Sequence, residues 1–202
     1  MIKIYFSLFL FAVTLEVVSS QSFNGGVSAG FTFCQVDGDN LSGFNKPGIT
    51  GGFFVNHKIK GGFSYQFEIK YAGKGARSGF NPNDPSVTVN SLKYIEFPLS
   101  VRYLYKKKYL LESGLYAAYL IKSQFKDENG VIGQATADPY NKTDTGFLIG
   151  INYTINDHFY ATIRYLYTLI RIYKIPGGST LGPWYHRGHY NNVLNFSIFY
   201  QL

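Results

Sequence analysis

The sequence predicts an all-β protein: an eight-stranded antiparallel up-and-down transmembrane β-barrel, preceded by a cleavable signal peptide. Three observations predict it. Apolar and polar residues alternate with a period of two over eight separate windows, as half-buried strands require. The connections between windows alternate long and short, as in barrels whose outer loops are long and whose periplasmic turns are tight. Charged residues well inside the windows all fall on the polar parity, which leaves the other face apolar. Composition agrees: charged residues are 15% of the chain and aromatics 18%, while mean hydropathy is only −0.06. Disordered chains are poor in aromatics. Nothing after the leader reaches the roughly 18 uncharged apolar residues that a spanning helix needs.

Residues 1–20 read as the leader. Lys3 supplies the positive end, Ile4 to Leu15 an uncharged and mostly apolar run, and Val18-Ser19-Ser20 a cleavage site of small or tolerated residues. Residues 21–202 then form one barrel domain, and Gln21 in place of a cysteine indicates no lipid-modified N-terminus. Cys34 is the only cysteine, so no internal disulfide can form; a small side chain in a packed place is its expected role.

The eight windows follow in order. Val27, Ala29, Phe31 and Phe33 alternate with small or polar residues. Ile49, Gly51, Phe53 and Val55 form a weaker window. Phe63, Tyr65, Phe67, Ile69 and Tyr71 oppose Ser64, Gln66, Glu68 and Lys70. Ile95, Phe97, Leu99, Val101 and Tyr103 oppose Glu96, Pro98, Ser100 and Arg102. Leu111, Leu115, Ala117, Tyr119 and Ile121 oppose Glu112, Gly114 and Tyr116. Phe147 to Ile155, Phe159 to Leu169 and Leu194 to Leu202 complete the set. Tight turns are expected at Asn56-His57-Lys58, Lys106-Lys107-Lys108 and Asn156-Asp157-His158. Long loops are expected at about Val36–Lys46, Gly73–Ser91, Lys126–Lys142 and Tyr173–His189.

In such a barrel Glu68, Lys70, Glu96, Arg102, Glu112 and Arg164 line the lumen as a charge network of zero net charge. An eight-stranded lumen is just wide enough for side chains to fill, and buried charges are tolerable there only when paired. If Tyr105 pairs with Tyr109 across the triple-lysine turn, Arg102 faces Glu112; Lys70 with Glu96 and Glu68 with Arg164 are the other expected pairs. The lipid-facing residues are Phe67, Phe97, Leu99, Leu115, Phe147, Ile149, Ile151, Ile163, Phe196 and Ile198. Tyr71, Tyr103, Tyr105, Tyr109, Tyr119, Tyr165 and Tyr167 are expected as interface aromatics. In the last outer loop, His186, Arg187 and His189 are weak candidates for a metal or an acidic head group.

The quoted segments resemble a family. Gly26-Val27-Ser28-Ala29-Gly30 opening a strand, Phe67-Glu68-Ile69-Lys70-Tyr71 followed by Gly73-Lys74-Gly75-Ala76, and Tyr94-Ile95-Glu96-Phe97-Pro98-Leu99 with its E-x-P element resemble the Bacteroidetes outer-membrane β-barrel domain family. Gly146 to Ile151, Arg164-Tyr165 and Asn195 to Leu202 fit the last strands of those small porin-family, PorT-like barrels. The resemblance implies a place in the cell outer membrane.

The expected function is a small non-enzymatic outer-membrane barrel, with a surface-loop or envelope role or limited passage of small solutes. A secretion accessory, a lipid-modifying barrel enzyme and a soluble lipocalin-like carrier are the alternatives; the last would need apolar residues inside. No cofactor is expected. The expected partners are outer-membrane lipid and an unknown protein at the outer loops. The net charge of +7 does not point to nucleic acid. Much of the excess sits at Lys58, Lys60 and Lys106 to Lys108, where it can meet lipid phosphates.

Overall fold

The fold is seen in a computed structural model that describes residues 23–39, 41, 43–79, 87–127, 130–131, 140–173 and 188–202. The leader, His186 and Arg187 lie outside these residues. Alternation produces long strands: β1 (Phe23–Asp37), β2 (Lys46–Lys58), β3 (Phe63–Arg77), β4 (Val89–Tyr105), β5 (Tyr109–Asp127), the two-residue β6 (Gly130–Val131), β7 (Thr143–Thr154), β8 (Phe159–Thr168) and β9 (Tyr190–Gln201). Each long strand pairs antiparallel with its neighbours in sequence, and β1 closes the ring on β9. The result is an eight-stranded up-and-down barrel, with β6 an appendage to β5 beyond the outer rim. Among the described residues no helix is long and apolar enough to cross a membrane.

The β4–β5 ladder pairs Tyr105 with Tyr109 and Arg102 with Glu112, the register the lysine turn implied. Several strands outrun their sequence windows on the long-loop side. β3 continues through Lys74 to Arg77, where a loop was expected, and β4 begins at Val89. β7 begins at Thr143, ahead of its window. The ladder between β4 and β5 also slips by one residue: Tyr94 faces Leu120 but Lys93 faces Lys122, so Ile121 is an extra residue in β5. Such bulges strengthen local twist near barrel rims.

The two faces differ as the pleat requires. Of the outward apolar residues, Phe67, Phe97, Leu99, Leu115, Ile149, Ile151, Ile163, Phe196 and Ile198 are exposed and Phe147 is half-buried. A continuous apolar belt of this kind exceeds what soluble monomers display and marks a surface made for an apolar partner or a bilayer. Rings gather at the short-turn end: Phe63 with Tyr103 at 4.9 Å, Tyr109 with Tyr153 at 5.5 Å and Phe159 with Tyr200 at 4.9 Å. Tyr105 is exposed there, with the Lys106 ammonium 5.2 Å from its ring. Tyr165 and Tyr167 stack loosely near the other rim, where Tyr119 faces the first residue of β7. Tyr71 instead sits near mid-strand, because β3 runs on to Arg77.

The lysine turn is strained. Lys106 and Lys107 both adopt positive φ, 48° and 59°. Tight hairpins reserve that conformation for Asn and Gly, because a Cβ meets the following carbonyl. The double substitution Lys106→Asn/Lys107→Gly is expected to stabilise the barrel by about 1 kcal/mol or more. A rise in the urea midpoint of the folded barrel in micelles would show this.

Candidate functional site

The site is the lumen. Polar and apolar side chains share the interior, with a buried cluster that includes Leu92, Leu120, Leu148 and Leu166, and among the described residues eight charged side chains are buried there. They are Glu68, Glu96, Glu112 and Asp144 against Lys70, Lys74, Arg102 and Arg164. The charges balance, and distances show how.

Near the short turns Arg164 is the centre. Its guanidinium is 1% exposed. Nη1 and Nη2 donate to the two Glu68 oxygens at 3.0 and 2.6 Å, while Nε and Nη2 donate to the two Glu112 oxygens at 2.9 Å each. A planar fork thus engages two carboxylates at once, a geometry lysine cannot supply. Glu68 lies on β3, directly across the ring from β8, so this pair spans the lumen. The register explains how Arg164 reaches Glu112. Gly150 lies between them in the ladder, and a Cβ there would come within 2.8 Å of the Arg164 Cγ. The missing side chain is the lane that the arginine uses.

Arg102 completes this layer. It donates to Gln66 Oε1 at 2.5 Å, Asn152 Oδ1 at 3.1 Å and the Tyr160 hydroxyl at 3.3 Å, and its Nε stands 3.8 Å from Glu112. Ser100 donates to Glu112 at 2.5 Å, and Gln66 to Glu68 at 2.6 Å. Beneath it Phe54, Tyr160 and Phe199 form an aromatic floor, with Tyr160 and Phe199 stacked at 4.9 Å.

The second layer lies toward the outer rim. Lys74 Nζ stands 2.6 Å from Glu96 and 2.9 Å from Asp144, with Tyr116 and Tyr94 rings 4.4 and 5.1 Å from its charge. Lys70 reaches Glu96 at 3.5 Å. Asp144 also accepts from Thr168 at 2.8 Å, Asn191 at 2.9 Å and Tyr116 at 3.3 Å. Gly146 makes room for the Tyr116 ring, which a Cβ would approach to 2.7 Å. Cys34 packs among Leu92, Tyr94, Leu148, Leu166 and Val193, its thiol 3.6 Å from the Gly73 carbonyl oxygen. The void beside Lys70, Lys74 and Glu96 measures about 10 Å³, no more than a single water needs.

All three expected pairs are neighbours in space, and Lys74 and Asp144, which lie outside the alternation windows, join them. Their signal was the continued parity: Lys74 shares the face of Glu68 and Lys70, and Asp144 that of Leu148 and Asn152. At the outer rim His189 forms a ring cluster with Tyr173 at 4.6 Å and Tyr140 at 6.0 Å. Desolvation lowers its pKa from the ordinary histidine value. Among the described residues no three His, Cys, Asp or Glu side chains could hold a metal ion.

In the β1–β2 loop Asp39 accepts from the Leu41 N–H at 2.9 Å, yet burial pushes its carboxyl up from 3.8 to about 6. A raised carboxyl pKa means the folded loop holds the proton more tightly than the unfolded one. Its stabilising contribution is complete below pH 3.8 and lost as pH rises through about 6. The loop should therefore resist protease better at pH 4 than at pH 7, and Asp39→Asn should flatten that dependence. An unchanged profile in the variant would assign the effect elsewhere.

The profile of the outer membrane protein beta-barrel domain matches residues 19–174. No curated protein sequence matches the chain. Among solved structures, Ail, the attachment invasion locus protein of Yersinia pestis, seen in complex with the heparin analogue sucrose octasulfate, is 14% identical. The match covers 90% of this chain and 99% of that one, with a TM-score of 0.51. Neisserial surface protein A is 12% identical over 90% of this chain and 100% of that one, with a TM-score of 0.55. At these identities the likeness is one of fold.

Proposed function

Because the chain belongs to the outer membrane protein β-barrel domain family, we propose that it is a small non-enzymatic outer-membrane barrel, braced inside by charge and making its contacts through its outer loops. The observation that carries this reading is the lumen itself. Among the described residues eight buried charges pair in two layers, with Arg164–Glu68 and Lys74–Asp144 bonding across the lumen, and the void beside Lys70, Lys74 and Glu96 holds about 10 Å³. Ions would have to displace cross-wall salt bridges to pass, so the lumen is a brace and not a pore. The outward apolar belt is the surface offered to lipid, and the residues before Gln21 are the export signal. The finer kinship, to Bacteroidetes PorT-like barrels, rests on the ordered strand segments quoted above.

The test is conductance of the purified full-length barrel in a planar bilayer, beside capture of partners by the barrel with intact and with protease-shaved loops. A silent barrel whose captured partner disappears on shaving is the expected result. Sustained single-channel steps would overturn the brace reading and favour small-solute passage.

A further inference from the structure

The outer rim of β3, β4 and β5 carries an arrangement the brace does not explain. Lys93 points outward from β4, and the register slip places Lys122 of β5 directly opposite it. An unbroken ladder would have put Ile121 there. Like charges face to face across a ladder destabilise it, so the bulge creates a repulsion that a simpler pairing would avoid. The next outward rows run Gly75–Ser91–Gln124 and Arg77–Val89–Lys126, so a polar row separates two cationic ones. Four residues along a strand set those rows about 13 Å apart. Lys46, the first residue of β2, is within electrostatic reach of Lys93, Arg77 and Lys126. Among the described residues no carboxylate forms a salt bridge with Arg77, Lys93, Lys122 or Lys126; Asp127 ends β5 beside them.

From this geometry we infer that the face is a binding site for a phosphorylated glycolipid of the outer leaflet, with Lys93 and Lys122 sharing one phosphate and Arg77 and Lys126 meeting a second. A shared anion turns the facing lysines from a repulsive pair into a clamp. The outward direction at rim height favours a lipid head group over a soluble polyanion, which would approach the loops from above. The inference rests on the membrane reading, and insertion is therefore scored separately, by heat-modifiable migration of the folded barrel.

The experiment places the full-length barrel in micelles containing diphosphoryl lipid A, or the same lipid with its phosphates removed. Retained lipid is counted by native mass spectrometry, and thermal midpoints are taken in parallel. The wild type should retain the diphosphoryl form at least tenfold better than the stripped form. Lys93→Gln/Lys122→Gln should lose that preference, while Lys106→Asn/Lys107→Gly, which removes two charges at the opposite rim, should keep it. Lys122→Gln alone should raise the midpoint without lipid A and lower it, relative to wild type, with lipid A present. A folded wild type that retains both lipids equally overturns the inference, as does a double variant that binds like wild type. So does a third arm, with a soluble sulfated sugar added to the lipid A micelles, in which the wild type retains the sugar in place of the lipid. A chain that never shows the folded band refutes the membrane reading instead.

Discussion

Arg164→Met is expected to lower the unfolding free energy by about 3–5 kcal/mol, because it leaves Glu68 and Glu112 buried without their shared cation. Unfolding by urea in micelles, followed by the folded band on a gel, measures it. Arg102 cannot take over: its nearest approach to Glu112 is 3.8 Å, and its other nitrogens already serve Gln66 and Asn152. Adding Glu68→Gln and Glu112→Gln to Arg164→Met removes the stranded charges and should recover at least half of the loss. If the single variant costs less than about 1 kcal/mol, the pair is a bystander and the lumen is wetter than its packing implies.

Ile149→Arg should cost about 2–4 kcal/mol in a bilayer. Ile149 projects outward from the middle of β7, 49% exposed, between Ser113 and Tyr165 in the ladder. A guanidinium there has no inward route, since the strand's other parity already points to the lumen. The same substitution in a water-soluble carrier would be neutral, because the residue touches solvent. Folding yield into vesicles for Ile149→Arg against Ile149→Val therefore separates a membrane barrel from a soluble one. A paired control at Lys93, already cationic and near the rim, should tolerate Arg without loss.

Much of the fold was legible because period-two alternation is a local signal. It located eight strands, their parity, and the facing of Arg102 and Glu112, since a three-residue turn fixes the register of its hairpin. The outer ends were not legible in the same way. Gly73-Lys74-Gly75 reads as a loop because glycines weaken strands, yet here Gly75 takes φ of 125° inside β3, and a Cβ would meet the Asn90 carbonyl at 2.0 Å. That misplaced end hid Lys74, and with it the partner of Asp144. The slip at Ile121 was illegible for another reason. It depends on how two strands meet, and nothing in β5 alone records that Lys122 turns outward.

The Arg164–Glu68 bridge joins positions 96 apart in the chain. Its partners sit on walls that meet only when β9 has closed on β1. Until that moment Arg164 can reach Glu112 across β7 but not Glu68, and a half-built sheet in the bilayer would carry Glu68 without its arginine. Partial barrels are therefore poor resting places, and assembly is driven toward a single concerted closing step. Contacts this remote in sequence make folding slow. They also make the closed ring hard to reopen one strand at a time, so the barrel's persistence in the membrane is set by a barrier as much as by an equilibrium.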